Sequence, residues 1–395
     1  MTSGDDIVIC GASRTPMGGF QGVFTGVKST TLGTEAVKAA VERSGAKPDQ
    51  IERIFMGCVL PAGLGQAPAR QAALNAGLAL STEATTVNKM CGSGMQAAIL
   101  AHDTLKAGSA EVIVAGGMES MTGAPYLLPT ARNGQRIGHG ITVDHMYMDG
   151  LEDAYSPGKL MGAFAEDTAK AYGFSREDQD AFAIESLTRA QKAIENGDFK
   201  AEITSVEVVG RKETIVVDTD EQPQKGRPDK IPHLRPAFAK DGTITAANAS
   251  SISDGASAFV MARHSTAEKM GLNAQARIVA HGAYAQKPGL FTTAPVPAMK
   301  RVLDQAGWSV GDVDLWEVNE AFAVVAMAAM KELDIPHDKL NIHGGACALG
   351  HPIGASGARI MTTLIHALKA NGLKRGVASL CIGGGEATAV ALEVL

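Results

Sequence analysis

Apolar residues in the first 120 positions form short unbroken runs and longer stretches with helical spacing. The run from Val112 to Ala115 is typical of a buried strand, whereas Leu32, Ala36 and Ala40 repeat on one face of a helix. The alternation of the two patterns predicts a doubly wound α/β layer. The predicted strands are 7–10, one within 51–60, 84–87 and 112–117, and the predicted helices are 31–44, 67–76 and 92–106.

A second series of alternating elements follows and repeats the order of the first. The segment 106–108 before the strand at 112 has a weak counterpart in 369–372 before the strand at 377. This repetition indicates an internal duplication and predicts two similar α/β halves packed in layers. The second series is preceded by a strand, 256–262, and by a helix capped by Ser265 with Glu268 at its third position. It then comprises strands 277–284, 313–318, 340–342, 377–382 and 387–394 and helices 297–306, 321–333 and 353–371.

The region between the two series is irregular and rich in proline and glycine. Its one clear helix begins after Ser175, where Asp178 completes a capping box, and ends near Asn196. Two strands, 203–209 and 214–218, follow. Insertions of this size usually bind a ligand or another subunit. The predicted division is a first half of residues 1–121 plus 252–271, a loop domain of residues 122–251, and a second half of residues 272–395.

The composition excludes several classes of protein. The 395 residues are 45% apolar and 20% charged with a net charge of −6, which disfavours nucleic acid and anionic membranes as partners. The longest apolar run, 321–330, is too short to span a bilayer, and the first residues do not resemble a signal peptide. The five cysteines are odd in number and widely spaced, so neither a disulfide framework nor a metal site is expected. We expect a reducing, cytoplasmic location.

Cys91 is the first candidate for chemistry. It follows the strand at 84–87 and precedes Gly92, Ser93 and Gly94 at the start of a helix. The positive end of the helix dipole is expected to lower the pKa of its thiol, and the glycines leave room for another molecule to approach. The alternative is a buried cysteine of the core, which is the usual position of a free cysteine.

Three further candidates lie at strand ends or helix starts in the second half. His351 stands in a glycine-rich loop before a helix and is a possible partner for a nucleophilic cysteine, although it also fits an ordinary turn residue. Cys381 precedes three glycines, of which Gly383 is the first, and is a candidate acid or base beside backbone N–H groups. Asn319 can orient a water or a histidine. The duplication offers a way to bring the His351 loop opposite Cys91.

No glycine cluster reads as a dinucleotide-binding G-x-G-x-x-G segment after a strand. Five other motifs are specific: Met90-Cys91-Gly92-Ser93-Gly94, Gly116-Gly117-Met118-Glu119-Ser120-Met121, Asn319-Glu320-Ala321-Phe322, Gly350-His351-Pro352 and Cys381-Ile382-Gly383-Gly384-Gly385. With these motifs the chain resembles the thiolase family over essentially its whole length, and within it the acetyl-CoA acetyltransferase branch.

The resemblance implies that the protein acts in fatty-acid metabolism. It also implies a catalytic role for several of these residues. Cys91 would be the nucleophile that becomes acylated, and His351 would activate it. His351 and a water held by Asn319 would form one oxyanion hole, and the N–H groups of Cys91 and Gly383 the other. Cys381 would deprotonate the methyl group of a second acetyl-CoA. Coenzyme A thioesters would be substrates, and no tightly bound cofactor or metal would be required.

The resemblance also implies that the insertion covers coenzyme A and that residues 121–150 form a tetramerisation loop of a homotetramer, a dimer of dimers. Ser250 would be the best single contact with coenzyme A. Five residues differ from those that are common in the branch, and the differences concern the acyl pocket and the contacts with the phosphates. They are Leu160, Gln224, Phe291, Ser251 and His343. The residues expected to contact the substrate are Leu234, Phe238, Ala246, Ser250, Met161, Phe322, Gln224 and Phe291.

Three alternative functions stay open at this point. A cysteine hydrolase would use Cys91, His351 and Asn319 but would leave Cys381 without a role. A lipid carrier without catalytic activity would not need all four side chains. A degradative thiolase for longer 3-ketoacyl chains would differ at the acyl pocket, where Phe291 and Leu160 stand.

Overall fold

The structure is a computed structural model that describes residues 3–210 and 212–395. Most strands are buried on both faces and consist largely of small or β-branched residues, as in Val112–Ser120, where every residue is buried. The strands are β1 (Ile7–Arg14), β2 (Gly18–Gly19), β3 (Arg53–Gly57), β4 (Glu83–Val87), β5 (Val112–Ser120), β6 (Tyr126–Leu127), β7 (Val143–Asp144), β8 (Val206–Val209), β9 (Thr214–Val217), β10 (Ser253–Arg263), β11 (Ala274–Ala285), β12 (Leu315–Val318), β13 (Arg375–Ile382) and β14 (Glu386–Val394).

The α-helices lie between these strands, and five of the eleven in the described part of the chain end at a glycine in the left-handed conformation, such as Gly45 and Gly307. Residues Tyr147–Leu151 form a single π-helical turn. The α-helices are α1 (Ser29–Ser44), α2 (Pro68–Asn75), α3 (Ser93–Lys106), α4 (Met161–Tyr172), α5 (Arg176–Asn196), α6 (Glu221–Lys225), α7 (His264–Met270), α8 (Pro295–Ala306), α9 (Ala323–Leu333), α10 (Ala346–Leu349) and α11 (Ser356–Ala370).

One large sheet has the strand order β12-β13-β14-β11-β1-β10-β5-β3-β4, with β2 beside β10. In each half the first strand pairs antiparallel with the last strand, which pairs antiparallel with the next strand toward the outer edge. Parallel pairing continues from there, with two pairs in the first half and one in the second. The halves meet where β1 pairs antiparallel with β11. The same order of pairing in both halves supports the duplication. The sheet is mixed, because the last strand of each half reverses direction.

The two corresponding helices α3 and α11 pack against each other between the halves. Their starts approach so closely that a Cβ on Gly94 would lie 2.8 Å from the backbone nitrogen of Ala358. A Cβ on Gly357 would lie 2.4 Å from the backbone nitrogen of Met95. Glycine is therefore required at both positions. The crossing places the loop before α3 next to the loop before α11.

The insertion is held to the first half by a buried cluster of charges. The guanidinium of Arg14 on β1 donates two hydrogen bonds to Asp220, at 2.7 and 2.8 Å, and its Nε donates to Glu202 at 2.5 Å. All three side chains are fully buried or nearly so. Removing one partner would leave a buried unpaired charge, which is strongly destabilising.

Most predicted elements are confirmed, and several predictions need correction. Helix α4 lies in the insertion and was not predicted, although Phe164, Ala165, Thr168 and Ala169 line its buried face. Helix α7 begins at His264 without a side-chain cap, so the predicted cap at Ser265 is wrong. The predicted strand 340–342 is reduced to one bridge between Leu340 and Trp316. The short helices α6 and α10 were not predicted either, and the sheet of the predicted α/β layer is mixed.

The helices in the part of the chain that the structure describes were compared with the length and hydropathy that a membrane-spanning helix requires. No helix there is long and apolar enough to span a bilayer.

Candidate active site

A cavity of about 660 Å³ opens where the insertion meets the two loops before α3 and α11. Its wall also includes the π-helical turn and the start of α4. π-Helical turns are frequent at functional sites. Ten residues selected from the sequence line it: Cys91, Met161, Phe238, Ala246, Ser250, Phe291, Phe322, His351, Cys381 and Gly383.

Three selected residues do not line this cavity. Leu234 is half-buried, and its carbonyl accepts a hydrogen bond from Arg176 at 2.7 Å. Gln224 is exposed, and its side-chain amide donates to the carbonyl of Asp220 at 3.0 Å. Asn319 is buried behind the cavity wall, beside His351. The roles of Leu234 and Gln224 in binding coenzyme A stay predictions.

Cys91 occupies a tight turn between β4 and α3. Met90 before it has a φ of 47°, a left-handed conformation that residues other than glycine seldom adopt. Ser93 fixes the turn, because its hydroxyl accepts a hydrogen bond from the N–H of Lys89 at 2.9 Å and donates to the carbonyl of Met90 at 2.6 Å. The half-buried thiol is thus held at the floor of the cavity.

The thiol of Cys91 is protonated at neutral pH. Burial raises its pKa to about 11, although the N–H groups of Gly383 and Cys91 act to lower it. The predicted lowering of this pKa by the helix start is therefore wrong for the free protein, because desolvation of the thiolate outweighs the local dipoles. Both N–H groups nevertheless act on the sulfur, and they are the two donors that were assigned to the second oxyanion hole.

Cys381 is the second-to-last residue of strand β13, and a turn of three glycines connects this strand to β14. Burial raises the pKa of the Cys381 thiol, and the neighbouring Cys91 raises it further. The interaction places the two thiols in one electrostatic environment. Lys89, two residues before Cys91, forms an ion pair with Glu386 at the start of β14. This ion pair joins the loops that carry the two thiols.

His351 is buried with one ring nitrogen in a defined hydrogen bond. Its Nδ1 lies 2.6 Å from Oγ of Ser356, whose hydroxyl donates to the carbonyl of Pro352 at 3.0 Å. We assign the hydroxyl hydrogen to the carbonyl of Pro352, and with this assignment Oγ accepts from Nδ1–H. The tautomer therefore leaves a lone pair on Nε2, which has no hydrogen-bond partner in the described chain. Burial and then Arg359 lower the pKa of His351 to about 3, so the ring is neutral.

The backbone around His351 is anchored to the segment that carries Ser250. The N–H of His351 donates to the carbonyl of Ser251 and to Oγ of Ser253, both at 3.2 Å. Gly350 has a φ of 100°, and a Cβ there would lie 2.1 Å from Oγ of Ser253. The close approach explains the glycine before His351.

Asn319 completes the surroundings of His351. Its Nδ2 lies 3.4 Å from Nδ1 of His351, and its Oδ1 has no partner in the described residues. Because Nδ1 carries a hydrogen, the opposite orientation of the amide, with Oδ1 toward the ring, satisfies both groups better. Cysteine, histidine and asparagine therefore do come together, as either a thiolase or a cysteine hydrolase would require.

The segment around Ser250 pairs with the loop of Asn319. The N–H of Ser250 donates to the carbonyl of Ala321 at 2.9 Å, and the N–H of Ala323 donates to the carbonyl of Asn248 at 2.8 Å. Asn248 is fully buried and donates to Asp180 at 3.1 Å. Its burial excludes modification of the Asn248-Ala249-Ser250 sequence by a glycan in the folded protein.

Two buried glutamates of the motifs are anchors. Glu119 accepts hydrogen bonds from the N–H groups of Val59 at 2.9 Å, Leu60 at 3.1 Å and Gly354 at 2.9 Å. Glu320 accepts from Ser186, Asn341 and the N–H of Cys347. Glu320 is not a helix cap, because α9 begins three residues later. These carboxylates fix the loops on either side of His351.

Sequence reasoning missed Lys89, Glu386 and Ser356. Ser356 had a signal, since it is the first residue of the helix after His351 and within reach of that loop. Lys89 and Glu386 had none, because 297 positions separate them and only the folded chain brings them together.

Two family models match the chain in tandem. The N-terminal domain of thiolase matches residues 7–265, and the C-terminal domain of thiolase matches residues 272–394. The chain is 46% identical over 389 residues to an acetyl-CoA acetyltransferase of Pseudomonas aeruginosa, covering 98% of this chain and 99% of the relative.

Solved structures give the same likeness. A crystal structure of the Bacillus anthracis acetyl-CoA acetyltransferase has a TM-score of 0.96 and 39% identity, covering 99% of both chains. A thiolase from Ascaris suum in complex with coenzyme A has a TM-score of 0.93 and 41% identity, covering 99% of this chain and 100% of that one.

Proposed function

The chain belongs to the thiolase family and is an acyltransferase, and from this premise we propose that it condenses two acetyl-CoA molecules to acetoacetyl-CoA and CoA through an acetyl-cysteine. The reverse thiolysis uses the same site, and substrate levels choose the direction. One observation carries the proposal: Cys91, His351, Cys381 and Gly383 line a single cavity. Two thiols and a neutral imidazole are the groups that an acyl transfer followed by carbon–carbon bond formation requires.

The first half-reaction acetylates Cys91. As its sulfur attacks the thioester carbon, its proton passes to the free Nε2 of His351, and the bond to the CoA sulfur breaks. The CoA thiolate takes the proton of Cys381, which leaves Cys381 as a thiolate. Because both thiol pKa values are raised in the free protein, each thiolate forms only when substrate is bound.

The second half-reaction forms the carbon–carbon bond. The Cys381 thiolate removes a proton from the methyl group of a second acetyl-CoA, and the carbanion attacks the acetyl carbon on Cys91. The bond to the Cys91 sulfur breaks, and this sulfur recovers its proton from His351. All protons are then back where they began. The N–H groups of Gly383 and Cys91 stabilise one developing oxyanion, and His351 with a water held by Asn319 stabilises the other.

The remaining cavity residues are proposed to hold coenzyme A. Ser250 lies at the point where the insertion meets the loop of Asn319, and Phe238 stacks edge-on with Phe322, their ring centroids 6.1 Å apart. Met161 is close to the glycine turn, since a Cβ on Gly383 would lie 3.5 Å from its sulfur. Leu234, Ala246, Phe291 and Gln224 complete the proposed set. A chain-length series of kcat/KM tests the alternative preference for longer acyl groups.

We also propose a homotetramer, supported by the exposed apolar residues of the hairpin between β6 and β7. Ile137 is 98% and Ile141 72% exposed, and exposed apolar patches mark contact surfaces. A cytoplasmic location agrees with five unpaired cysteines. A role in fatty-acid metabolism stays a prediction. The domain boundaries also stay predictions: residues 1–121 plus 252–271, 122–251 and 272–395.

Mass spectrometry of the intact protein and its peptides after mixing with acetoacetyl-CoA tests the mechanism. We expect an acetyl group on Cys91 that disappears when free CoA is added. Folded, reduced protein that forms no adduct with acetoacetyl-CoA or with longer 3-ketoacyl-CoAs would contradict the proposal and favour a carrier. An adduct that is lost rapidly in buffer without CoA would favour a hydrolase.

Cys381→Ala separates the roles of the two thiols. With acetyl-CoA as donor it should still acetylate Cys91, because CoA leaves as a thiolate without a proton. With acetoacetyl-CoA as donor it should fail, since the carbanion that leaves needs the Cys381 proton. Cys91→Ala should form no adduct with either donor. Equal acetylation of Cys381→Ala by both donors would remove the proposed acid–base role.

A further inference from the structure

A cluster of two histidines and one aspartate lies away from the cavity. His102 and Asp103 belong to the last turns of α3, and His281 belongs to β11. The first residue of α3, Ser93, follows Cys91 closely in the chain. The helical rise places His102 about 14 Å farther along the helix axis. The three residues do not line the cavity that the described chain forms.

The three potential ligand atoms form an equilateral triangle. Nδ1 of His102, Nε2 of His281 and Oδ1 of Asp103 are each 3.0 Å from the other two. A point about 2.0 Å from all three atoms, the distance typical of zinc bound to nitrogen or oxygen, lies about 1 Å outside the triangle. The angles between ligands at that point are about 97°, close to those of a tetrahedral or octahedral site.

The chemistry of the cluster also favours a cation. The side chains of His102 and His281 are largely shielded from solvent, at 15% and 20% exposed, which favours ligands that are held in place. The nearby Lys106 donates a hydrogen bond to the carbonyl of Asp5 at 2.6 Å, which gives its ammonium another partner. Asp103 is 59% exposed, which leaves the remaining coordination positions open to water.

We propose that His102, Asp103 and His281 bind one divalent transition-metal cation of the zinc class. Imidazole ligands select such a cation over magnesium or calcium, which prefer oxygen. Since α3 belongs to the first half and β11 to the second, the cation joins the two halves and stabilises the fold. The site revises the expectation from the sequence that this chain holds no metal, and it does not depend on the proposed reaction.

Cobalt(II) is the best probe, because its spectrum reports the ligand type. The full chain carrying Cys91→Ala is dialysed against a chelator and titrated with Co²⁺ alone, which removes the nucleophilic thiol as a competing ligand. We expect one Co²⁺ per chain, visible d–d bands and no thiolate charge-transfer band. Asp103→Asn should weaken binding, and His102→Gln and His281→Gln should each abolish stoichiometric binding. His139→Ala, which removes an exposed histidine of the insertion, should have no effect.

Thermal unfolding with Zn²⁺ provides the second measurement. The Tm of the parent protein should rise with zinc concentration, and the Tm of His281→Gln should not. The Tm of each variant without metal verifies that it is folded. Binding that survives in both histidine variants, a thiolate band, or folded parent protein without stoichiometric binding would overturn the proposal.

Discussion

Ser356 accepts a hydrogen bond from His351 and thereby selects the tautomer of its ring. The distance between Oγ and Nδ1 is 2.6 Å, and the same hydroxyl donates to the carbonyl of Pro352 at 3.0 Å. The lone pair of the imidazole is consequently on Nε2, the atom without a hydrogen-bond partner among the described residues. Ser356 thus acts as a positioning residue for a base that is neutral at rest.

The variant Ser356→Ala should lower the rate at which Cys91 is acetylated. Without the acceptor, the ring populates the wrong tautomer and other orientations, and loss of a positioned base typically costs about 100-fold or more in rate. Rapid-quench measurement of acetyl-Cys91 formation reports this step, and KM should change much less than kcat.

The matched control for that variant is Ser257→Ala. Ser257 is also a fully buried serine with a hydrogen bond to a backbone carbonyl, that of Ser13 at 2.9 Å, but it does not contact His351. If Ser356→Ala and Ser257→Ala acetylate equally fast, the hydrogen bond to Nδ1 has no positioning role. Partial recovery in Ser356→Thr would support it.

The ion pair between Lys89 and Glu386 should hold the Cys91 and Cys381 thiols at a fixed separation. Lys89→Met and Glu386→Gln should each lower kcat about tenfold, and the double variant should be no worse than either single one, because residues acting as a unit are not additive. Removing the ion pair of half-buried Arg53 and exposed Glu83, at 2.8 Å, should leave kcat unchanged. Strictly additive effects of Lys89→Met and Glu386→Gln would argue against a shared role.

Gly357→Ala should destabilise the packing of α3 against α11. It should do so although alanine normally stabilises a helix by about 1 kcal/mol relative to glycine. The added Cβ would lie 2.4 Å from a backbone nitrogen and 2.7 Å from the Cβ of Met95, and neither can move without shifting α3. We expect a loss of about 3 kcal/mol or more in unfolding free energy by urea denaturation. Gly311→Ala, whose Cβ meets nothing closer than 3.7 Å, should be nearly neutral. A stability of Gly357→Ala equal to that of the parent would show that the helices can separate at little cost.

The sequence predicts local elements well when the signal is contained in one segment. The capping box of Ser175 and Asp178 is confirmed, because its two hydrogen bonds depend only on neighbours in the chain. The motifs likewise mark Cys91, His351 and Cys381 from local sequence, and the structure places all three at one cavity. Duplication further predicts that the loops before α3 and α11 face each other, and Gly94 and Gly357 supply the close contact that allows it.

The remaining features depend on long-range contacts and desolvation. The strand predicted at 340–342 is only one bridge, because tertiary packing leaves the outermost strand of the second half incomplete. The thiol pKa of Cys91 was predicted in the wrong direction, since burial by the insertion and the second half is invisible in the local sequence. The ion pair of Lys89 and Glu386 joins residues that share no pattern.

The buried ring of His351 should make the protein less stable in acid. Its pKa is lowered from 6.5 to about 3 in the folded state, so the unfolded chain binds a proton more readily between these values. The contribution is negligible above pH 7 and grows as the pH falls through 6.5. Between pH 7 and pH 5 the parent protein should lose about 2 kcal/mol more unfolding free energy than His351→Asn, as measured by urea denaturation. Because parent and variant share all other buried histidines, the contributions of those histidines to the pH dependence of the unfolding free energy cancel in the comparison. Parallel loss of stability in the two proteins would mean that the pKa of His351 is the same in the folded and the unfolded chain, so that burial does not hold the ring neutral in acid.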